Sequence, residues 1–391
     1  MSNDRPVSDV PTPHRAFRGW VLLACAGLCV GLVMAAGVTT AMSPGNEMDL
    51  QEPAMDAGHD DQGDDDRWAD IDPEIAALPA WTEPPPEAPV RYAFAGDVHG
   101  EGGVRSVLEA GGNPFELMAP ALEDADVTMV NLETAVAAEG APEDKQFTFN
   151  APLNITDMLA ISGVDVVSLA NNHAMDYGAA AMLETRQRAE ASGLAVVGAG
   201  QDRAQAFSPH LVDVDGITVA IVGTSRVLPA TSWFAGTERP GIASAYDLEH
   251  AVEAVSEARQ IADRVVVFVH WGTELAACPD EVQRQMAGAF AAAGADVIVG
   301  HHPHVLQGIE VRDRTLIAYS LGNFAFYARD ADTSRTGVLQ VDQVGDQTSY
   351  HFVPAVVVDG IPTPAHDEQA QDVLDTLSAR SPGGAAGCDF G

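Results

Sequence analysis

Short apolar runs of strand length alternate with segments of helical pattern from Val90 onward, and no other feature limits the fold of this chain so strongly. Such alternation predicts an α/β domain in which helices cover the sheets. A closing hairpin is predicted after Gly337, over 338–341 and 350–358. The remaining predicted strands are 90–95, 127–130, 164–169, 195–197, 217–222, 265–269, 297–299 and 316–319, and the predicted helices are 115–123, 179–192, 247–262 and 279–293.

Several of these strands run directly into side chains that can bind a metal ion. In α/β folds, ligand sites gather beyond the carboxyl ends of the strands, so these tails are predicted to share one edge of the domain. Carboxylate, amide and imidazole groups in this number suit two divalent ions such as Mn, Fe or Zn, with Glu133 placed to bridge them. The candidate ligands are Asp97, His99, Glu133, Asn172, His270, His302 and His304.

The most histidine-rich of these tails follows the apolar run 297–299. Gly300 is expected to let the chain turn tightly at this point. If the chain then stays extended, His302 and His304 leave it on the same side, whereas His301 does not. We therefore expect the first two to bind metal, with a surface loop that is merely rich in histidine as the alternative.

Five ordered motifs in this part of the chain resemble the CapA family, within the calcineurin-like metallophosphoesterase superfamily. They are N-L-E-T at 131–134, A-N-N-H at 170–173, H-W-G-T-E at 270–274, G-H-H-P-H at 300–304 and Y-S-L-G-N-F at 319–324. The resemblance spans about residues 90–328. It implies a sandwich of two β-sheets flanked by helices, and a link to the synthesis and export of a poly-γ-glutamate capsule.

The resemblance also implies a role for each candidate residue. Asp97, His99 and His304 would face one metal ion, and Asn172, His270 and His302 would face the other. Glu133 would lie between them, where the superfamily usually has an aspartate. His173 matches the general acid that protonates the leaving group, and a metal-bound hydroxide would be the nucleophile of a hydrolysis or transfer reaction.

Four further polar residues near these tails are candidates to contact substrate or to orient the ligands. Glu274 could orient a neighbouring histidine or touch substrate. Asp176 could equally cap the helix that follows it. Asn323 could simply fix the turn in which it lies. Asn131, beside the predicted bridging glutamate, completes this group.

The first 89 residues differ in character from the rest. Residues 20–41 carry no charge and have the length of a transmembrane helix, and the arginines before them predict a cytoplasmic segment at 1–19. A retained signal-anchor is favoured over a cleaved signal peptide because the apolar run is longer than a usual signal core. Residues 42–89 are predicted to form an acidic, proline-containing linker, 90–365 the extracytoplasmic domain, and 366–391 a flexible tail with one short helix.

Net charge and cysteine content limit the partners and the compartment. A formal charge of -37 argues against nucleic acid, because binding the phosphate backbone requires Lys and Arg. Cys278 and Cys388 could form a disulfide if this part of the chain is exported.

Three functions remain open from the sequence. The first is a membrane-anchored CapA-type protein of poly-γ-glutamate capsule synthesis or export, with the polymer and the capsule synthase or export subunits as partners. The second is a metallophosphoesterase that acts on an envelope or nucleotide substrate. The third is a non-catalytic scaffold or polymer-binding subunit of a membrane assembly.

Overall fold

The computed structural model describes residues 89–391. The predicted signal-anchor at 20–41, and the predicted linker up to residue 88, lie outside the described residues. Between residues 89 and 391, no helix combines the length and the apolar character that crossing a bilayer requires.

Every predicted strand has a counterpart among the strands of the described chain. In chain order they are β1 (Val90–Val98), β2 (Val127–Leu132), β3 (Val166–Ser168), β4 (Ala195–Val197), β5 (Ala199–Gly200), β6 (His210–Val214), β7 (Ile217–Ser225), β8 (Gly241–Ile242), β9 (Arg264–His270), β10 (Val297–His301), β11 (Ile309–Arg312), β12 (Thr315–Ala318), β13 (Asn323–Ala325), β14 (Arg335–Val344), β15 (Gln347–Val358) and β16 (Ile361–Pro364). The hairpin predicted after Gly337 is confirmed as β14 and β15.

The helices alternate with the strands as the sequence predicts. They are α1 (Gly103–Glu109), α2 (Ala119–Glu123), α3 (Ile155–Ile161), α4 (Gly178–Ala191), α5 (Arg203–Phe207), α6 (Leu248–Ile261), α7 (Glu281–Ala293), α8 (Ala331–Ser334) and α9 (Asp367–Arg380). Helix α7 shows why its bounds are readable from sequence. The Asp280 side chain accepts from the Gln283 backbone in a capping box, and Gly294 ends the helix with φ 107°.

Two mixed sheets are built from these strands. Within residues 89–391, the larger has eight strands in the order β16–β15–β14–β1–β2–β3–β4, with β13 beside β1, and the smaller has the order β11–β12–β10–β9–β7–β6. Strands β1 to β4 are parallel in one sheet, and β7, β9, β10 and β12 are parallel in the other. The predicted α/β class is confirmed.

Apolar side chains of the two sheets pack against each other. Phe94 of β1 and Phe268 of β9 meet with their ring centroids 6.3 Å apart, within a cluster that draws on both sheets. On the outer face of the larger sheet lie α1 to α4, through residues such as Leu159, and on the outer face of the smaller sheet lie α6 and α7, through residues such as Phe290. The sheets therefore form the inner layers and the helices the outer ones.

The segment 366–391, expected to be a flexible tail with a short helix, is part of the packed domain. Helix α9 has 14 residues, and its Val373 and Leu377 are buried in the cluster between the sheets. Cys388 forms a disulfide with Cys278, which lies 110 positions earlier. Apolar burial and a covalent link explain why this segment is held in place.

The topology brings the polar tails of distant strands to one edge of the sandwich. Asp97 at the end of β1 lies beside Asn131 of β2 and beside Asn323 of β13. In the other sheet, His270 at the end of β9 lies beside His301 of β10. Because β1 is parallel to β2, and β9 is parallel to β10, the carboxyl ends of each pair of strands meet at one edge of their sheet.

Candidate metal centre

Asp97 is the most connected carboxylate of the site. It is fully buried, and Asn131 donates to its Oδ1 over 2.8 Å. Nδ1 of His301 lies 3.2 Å from Oδ1, and Nδ1 of His304 lies 3.1 Å from Oδ2. Burial disfavours the charged form, but the contacts with the two histidines outweigh it and hold the pKa of Asp97 well below its ordinary value.

Glu133 lies between histidines from both parts of the site. Its Oε1 atom is 3.7 Å from Nε2 of His270 and 3.8 Å from Nε2 of His304. Two groups of potential ligand atoms therefore share this carboxylate: Asp97, Glu133 and His304 form one, and Glu133, His270 and His302 form the other. In each group the atoms lie within 4.8 Å of one another. Apart from His99 and Asn172, which these groups do not include, this is the division into two groups that the family resemblance implies.

Several buried polar atoms of the site have no hydrogen-bond partner among the described residues. Among residues 89–391, Oε1 of Glu133 and Nδ1 of His302 are buried without a hydrogen-bond partner. An unsatisfied buried carboxylate oxygen is costly, and it is rarely tolerated without a reason. A divalent cation accepts electron pairs from both carboxylate oxygen and imidazole nitrogen, so these donors fit the implied metal ions.

Burial keeps two histidines of the centre, His270 and His302, neutral. It lowers the pKa of His302 to about 3, and it places the pKa of His270 well below the ordinary value of 6.5. Burial and the nearby charge of Asp97 together raise the pKa of Glu133 well above its ordinary value. Neutral imidazole is the form that binds a metal ion. A nearby cation would stabilise the charged form of a carboxylate that burial destabilises.

The turn that presents His302 and His304 differs from the expected one. Gly300 does not turn; it lies inside β10, where a Cβ would come within 2.2 Å of Nε1 of Trp271. The turn follows instead, with φ at 97° for His302 and 58° for His304. The expectation of an extended H-x-H segment is therefore wrong. Left-handed backbone at non-glycine residues costs on the order of 1–3 kcal/mol each and is found mostly at functional sites.

His99 is not among the potential ligand groups, contrary to its predicted role. Its Nδ1 lies 3.3 Å from the backbone nitrogen of Glu101, and its Nε2 lies 3.3 Å from the backbone nitrogen of Tyr327. The ring stacks on Phe326 with centroids 3.8 Å apart. His99 therefore supports the wall of the site, because β1 continues to Val98 and carries the following residue past the metal centre.

Two asparagines orient the charged groups. The side-chain nitrogen of Asn131 lies 2.8 Å from Oδ1 of Asp97, 3.3 Å from Oε2 of Glu133 and 3.2 Å from Nδ1 of His270. Oδ1 of Asn172 lies 2.7 Å from Nε2 of His270. Asn131 thus contacts residues of both groups, and Asn172 lies beside His270, with which it was predicted to share a metal ion.

His173 lies beside this cluster with its own carboxylate partner. Its Nδ1 is 2.6 Å from Oδ2 of Asp176, and its ring stacks on Phe149 at 4.1 Å. Burial lowers the pKa of His173, although the contact with Asp176 acts in the opposite direction. Since Asp176 occupies Nδ1, the Nε2 atom is the one left to exchange a proton with a bound molecule.

Asp176 serves the site and does not cap α4. No side chain caps the start of that helix, at Tyr177. The carboxylate instead accepts from Nζ of Lys145 over 2.7 Å and from the Phe149 backbone over 2.7 Å. Of the two interpretations of Asp176 open from sequence, the structure favours the site.

A pocket opens over the centre. Its lining includes His173, His304, Glu274 and Asn323, with aromatic walls from residues such as Phe326. Glu274 is exposed and lies within 4.8 Å of ligand atoms of His302 and His304, so it faces the centre from the rim. Asn323 contributes directly, because its Oδ1 lies 3.0 Å from Nδ1 of His304.

His301 and Lys145 are the site residues that the sequence reasoning did not select. His301 is buried against Asp97 because β10 runs two residues past the predicted strand end. The sequence contained a usable signal for His301. If the strand continues through Gly300, His301 lies two residues after Val299 and its side chain is on the same face of the sheet. Lys145 lies in a long loop and does not directly follow a strand. Its neighbours in sequence therefore gave no indication that it belongs to the site.

The sequence match to a known family covers more than half of the chain. Residues 91–328 match the family described as bacterial capsule synthesis protein PGA_cap. The PGA biosynthesis protein CapA of Bacillus subtilis is 37% identical over 239 residues, which are 60% of this chain and 62% of that protein. The capsule biosynthesis protein CapA of Bacillus anthracis is 33% identical over 258 residues, which are 64% of this chain and 62% of that protein. The match thus spans less than two thirds of the length of either relative.

Solved structures show weaker similarity. The NAD nucleotidase of Haemophilus influenzae has a TM-score of 0.42 and 13% identity, over 75% of this chain and 57% of that one. A phosphatase of Mycoplasma pneumoniae has a TM-score of 0.41 and 14% identity, over 68% of this chain and 94% of that one. At these values the assignment depends on the sequence match alone, and by that match the chain belongs to the bacterial capsule synthesis protein PGA_cap family.

Proposed function

We propose that this chain is a membrane-anchored, extracytoplasmic protein of poly-γ-glutamate capsule production, with a two-metal centre for hydrolysis or transfer at an amide or phosphoester. The observation that carries the proposal is the position of Glu133. Its Oε1 atom lies between Nε2 of His270 and Nε2 of His304, and it has no hydrogen-bond partner among the described residues. The names of the two Bacillus relatives support the link to the capsule.

The residues present would hold two cations in the division already described. Asp97 and His304 would hold one, Asn172, His270 and His302 the other, and Glu133 would contact both. Two bound divalent cations would polarise the bond to be cleaved and lower the pKa of an attacking water. Amide and phosphoester substrates both use this chemistry, so the ligand set supports either.

The chain itself supplies proton transfer and a sheltered pocket. Asp176 fixes the ring of His173 at Nδ1, which leaves Nε2 to give a proton to the leaving group. Because burial lowers its pKa, protonated His173 gives up a proton more readily than an ordinary imidazolium. Phe149 and Phe326 form apolar walls beside it that limit the access of water.

Two observations support the extracytoplasmic position. Cys278 and Cys388 are joined in a disulfide, which is typical of proteins outside the cytoplasm. The uncharged segment 20–41 follows arginine-containing residues, as in a signal-anchor whose N-terminus stays inside. Labelling from outside the cell of a cysteine placed in the domain would test this topology, and labelling only after lysis would contradict it.

The experiment for the chemistry compares the full chain with His173→Ala. We expect the purified protein to bind two divalent ions per chain and to turn over either bis-p-nitrophenyl phosphate or γ-linked polyglutamate. His173→Ala should lower kcat by about 10²- to 10⁴-fold while the bound metal stays unchanged.

The outcomes separate the rival functions. Shortening of the polymer, with little action on esters, supports the capsule role. Turnover of esters alone supports a metallophosphoesterase without a capsule role. A wild-type protein that binds no metal and cleaves neither substrate would contradict the proposed chemistry and would favour a non-catalytic scaffold.

A further inference from the structure

Lys145 is the one lysine among the 391 residues of this chain, and 19 arginines supply every other basic side chain. At exposed positions arginine and lysine are largely interchangeable, and here such positions carry arginine. The contacts of this single lysine therefore show whether an ammonium group suits its position better than a guanidinium would. The ammonium group is compact and directs three donors tetrahedrally, whereas guanidinium is a wide planar fork.

The ammonium of Lys145 is enclosed by the loop that carries Asn172 and His173. Nζ donates to the backbone carbonyl of Asn172 over 2.6 Å and to Oδ1 of Asp176 over 2.7 Å. It also lies 3.4 Å from Nδ1 of His173. The side chain is 18% exposed, and the ring of Trp233 closes the other side with its centroid 5.3 Å from Nζ.

Backbone amides on both sides of Lys145 donate hydrogen bonds to Asp176, which belongs to the same loop as Asn172 and His173. The amide of Glu143 donates to the carbonyl of Asp176 over 2.8 Å, and the amide of Phe149 donates to its Oδ2 over 2.7 Å. Asp176 is fully buried, so its charge needs a fixed partner. Lys145 supplies that partner, because its Nζ lies 2.7 Å from Oδ1 of Asp176.

We propose that Lys145 is a positioning residue for the centre, holding Asn172 through its carbonyl and His173 through Asp176. One ammonium thereby fixes a candidate metal ligand and the proton-transferring histidine together. We expect the wider, planar guanidinium of arginine to clash with the two oxygens or with the Trp233 ring. The inference rests on the proposed function for its effect on turnover, but its effect on metal affinity is independent of turnover.

The test compares Lys145→Met and Lys145→Arg with the wild-type full chain. Arg188→Met is the matched control, since Arg188 forms an ion pair with Glu184 on α4, outside the site. For both Lys145 variants we expect kcat on bis-p-nitrophenyl phosphate or γ-linked polyglutamate to fall about 10- to 100-fold, and Mn²⁺ affinity to fall similarly. KM should stay within about threefold and the control should match wild type.

Chemical rescue separates positioning from damage to the fold. Lys145→Cys is made in a chain with Cys25→Ser and Cys29→Ser, and it is treated with 2-bromoethylamine, which restores an ammonium at nearly the same place. We expect kcat and Mn²⁺ affinity to recover on treatment. Failure to recover, or full kcat in Lys145→Arg, would overturn the inference.

The experiment also distinguishes an error in the proposed function from an error in the role proposed for Lys145. If the wild-type chain binds Mn²⁺ but cleaves neither substrate, the proposed reaction is wrong, and Lys145 is judged by Mn²⁺ affinity alone. Unchanged affinity in Lys145→Met would then overturn the positioning role, and weaker affinity restored by bromoethylamine would support it. A wild-type chain without Mn²⁺ affinity would overturn both.

Discussion

The Nδ1 atom of His173 lies 2.6 Å from Oδ2 of Asp176, three positions further along the chain. Both side chains are buried, and the same carboxylate oxygen accepts from the backbone of Phe149. The ring therefore has one orientation, in which Nε2 is available to the pocket. A fixed tautomer of this kind is what a proton-transferring histidine requires.

Asp176→Asn should impair turnover without removing metal. The amide keeps the shape of the side chain but loses the charge that orients His173, so we expect kcat to fall about 10- to 100-fold. Metal content should remain at the wild-type value. Asp375→Asn, on the exposed face of α9, serves as the control. Wild-type kcat in Asp176→Asn would show that the pair has no part in the reaction.

Glu133→Gln should have opposite effects on metal binding and on the stability of the metal-free protein. The substitution removes a buried carboxylate whose pKa burial has raised, so the free energy of unfolding in chelator at pH 7 should rise by about 1–3 kcal/mol. Metal content should fall below two ions per chain, because the shared ligand is lost. Urea unfolding and elemental analysis measure the two effects.

Glu310→Gln provides the contrast to Glu133→Gln. Glu310 accepts from Arg312 and from the hydroxyl of Tyr319, so the loss of its charge should lower stability and leave metal content unchanged. If Glu133→Gln behaved like this control, Glu133 would be an ordinary structural carboxylate.

The metal-free protein should lose stability as the pH falls below 6.5. Burial lowers the pKa values of His99 and His302 to about 3 and that of His270 well below 6.5, so unfolded chains take up protons that folded chains do not. Each histidine then removes about 1.4 kcal/mol per pH unit. Glu133, whose pKa is raised, acts in the opposite direction but offsets only one of the three. Urea unfolding in chelator at pH 7 and pH 5 checks this, and equal stabilities would contradict it.

Gly300→Ala should destabilise the domain and disturb the centre. A Cβ at Gly300 would lie 2.1 Å from the carbonyl oxygen of Tyr319 and 2.2 Å from Nε1 of Trp271, and this Nε1 donates a hydrogen bond to that carbonyl oxygen. We expect a loss of about 1–3 kcal/mol in the free energy of unfolding, together with reduced metal content. Gly288→Ala in α7 is the control, because a Cβ there meets only the end of the Arg312 side chain, and it should not destabilise.

The strands and helices were largely predictable because a short apolar run in the sequence indicates a buried strand. Strand β4 was predicted with its observed bounds, whereas the edge strand β6 was missed because its side chains alternate between partly buried and exposed positions. Helix α9 was underestimated for a related reason. It buries only two of its residues, Val373 and Leu377, and the disulfide that holds the end of the chain is not visible as a local pattern.

The candidate site was predictable wherever its residues follow a strand. Asp97, Glu133 and His270 were predicted to lie near one another, and in the structure all three contact the side chain of Asn131, because the carboxyl ends of neighbouring parallel strands meet. His301 was not selected, because β10 continues two residues past its predicted end and places that side chain against Asp97. Lys145 could not be assigned to the site from sequence, because no strand leads directly to it. It is joined to the site by its side-chain contacts with Asn172 and Asp176.

The measurement that tests the central claim most directly is a crystal structure of the full domain soaked in Mn²⁺, with the ions located by anomalous scattering. The account predicts two ions in contact with the carboxylate of Glu133, one also bound by Asp97 and His304 and the other by His270 and His302. A structure with no ion at Glu133, or with ions bound only elsewhere on the domain, would contradict it.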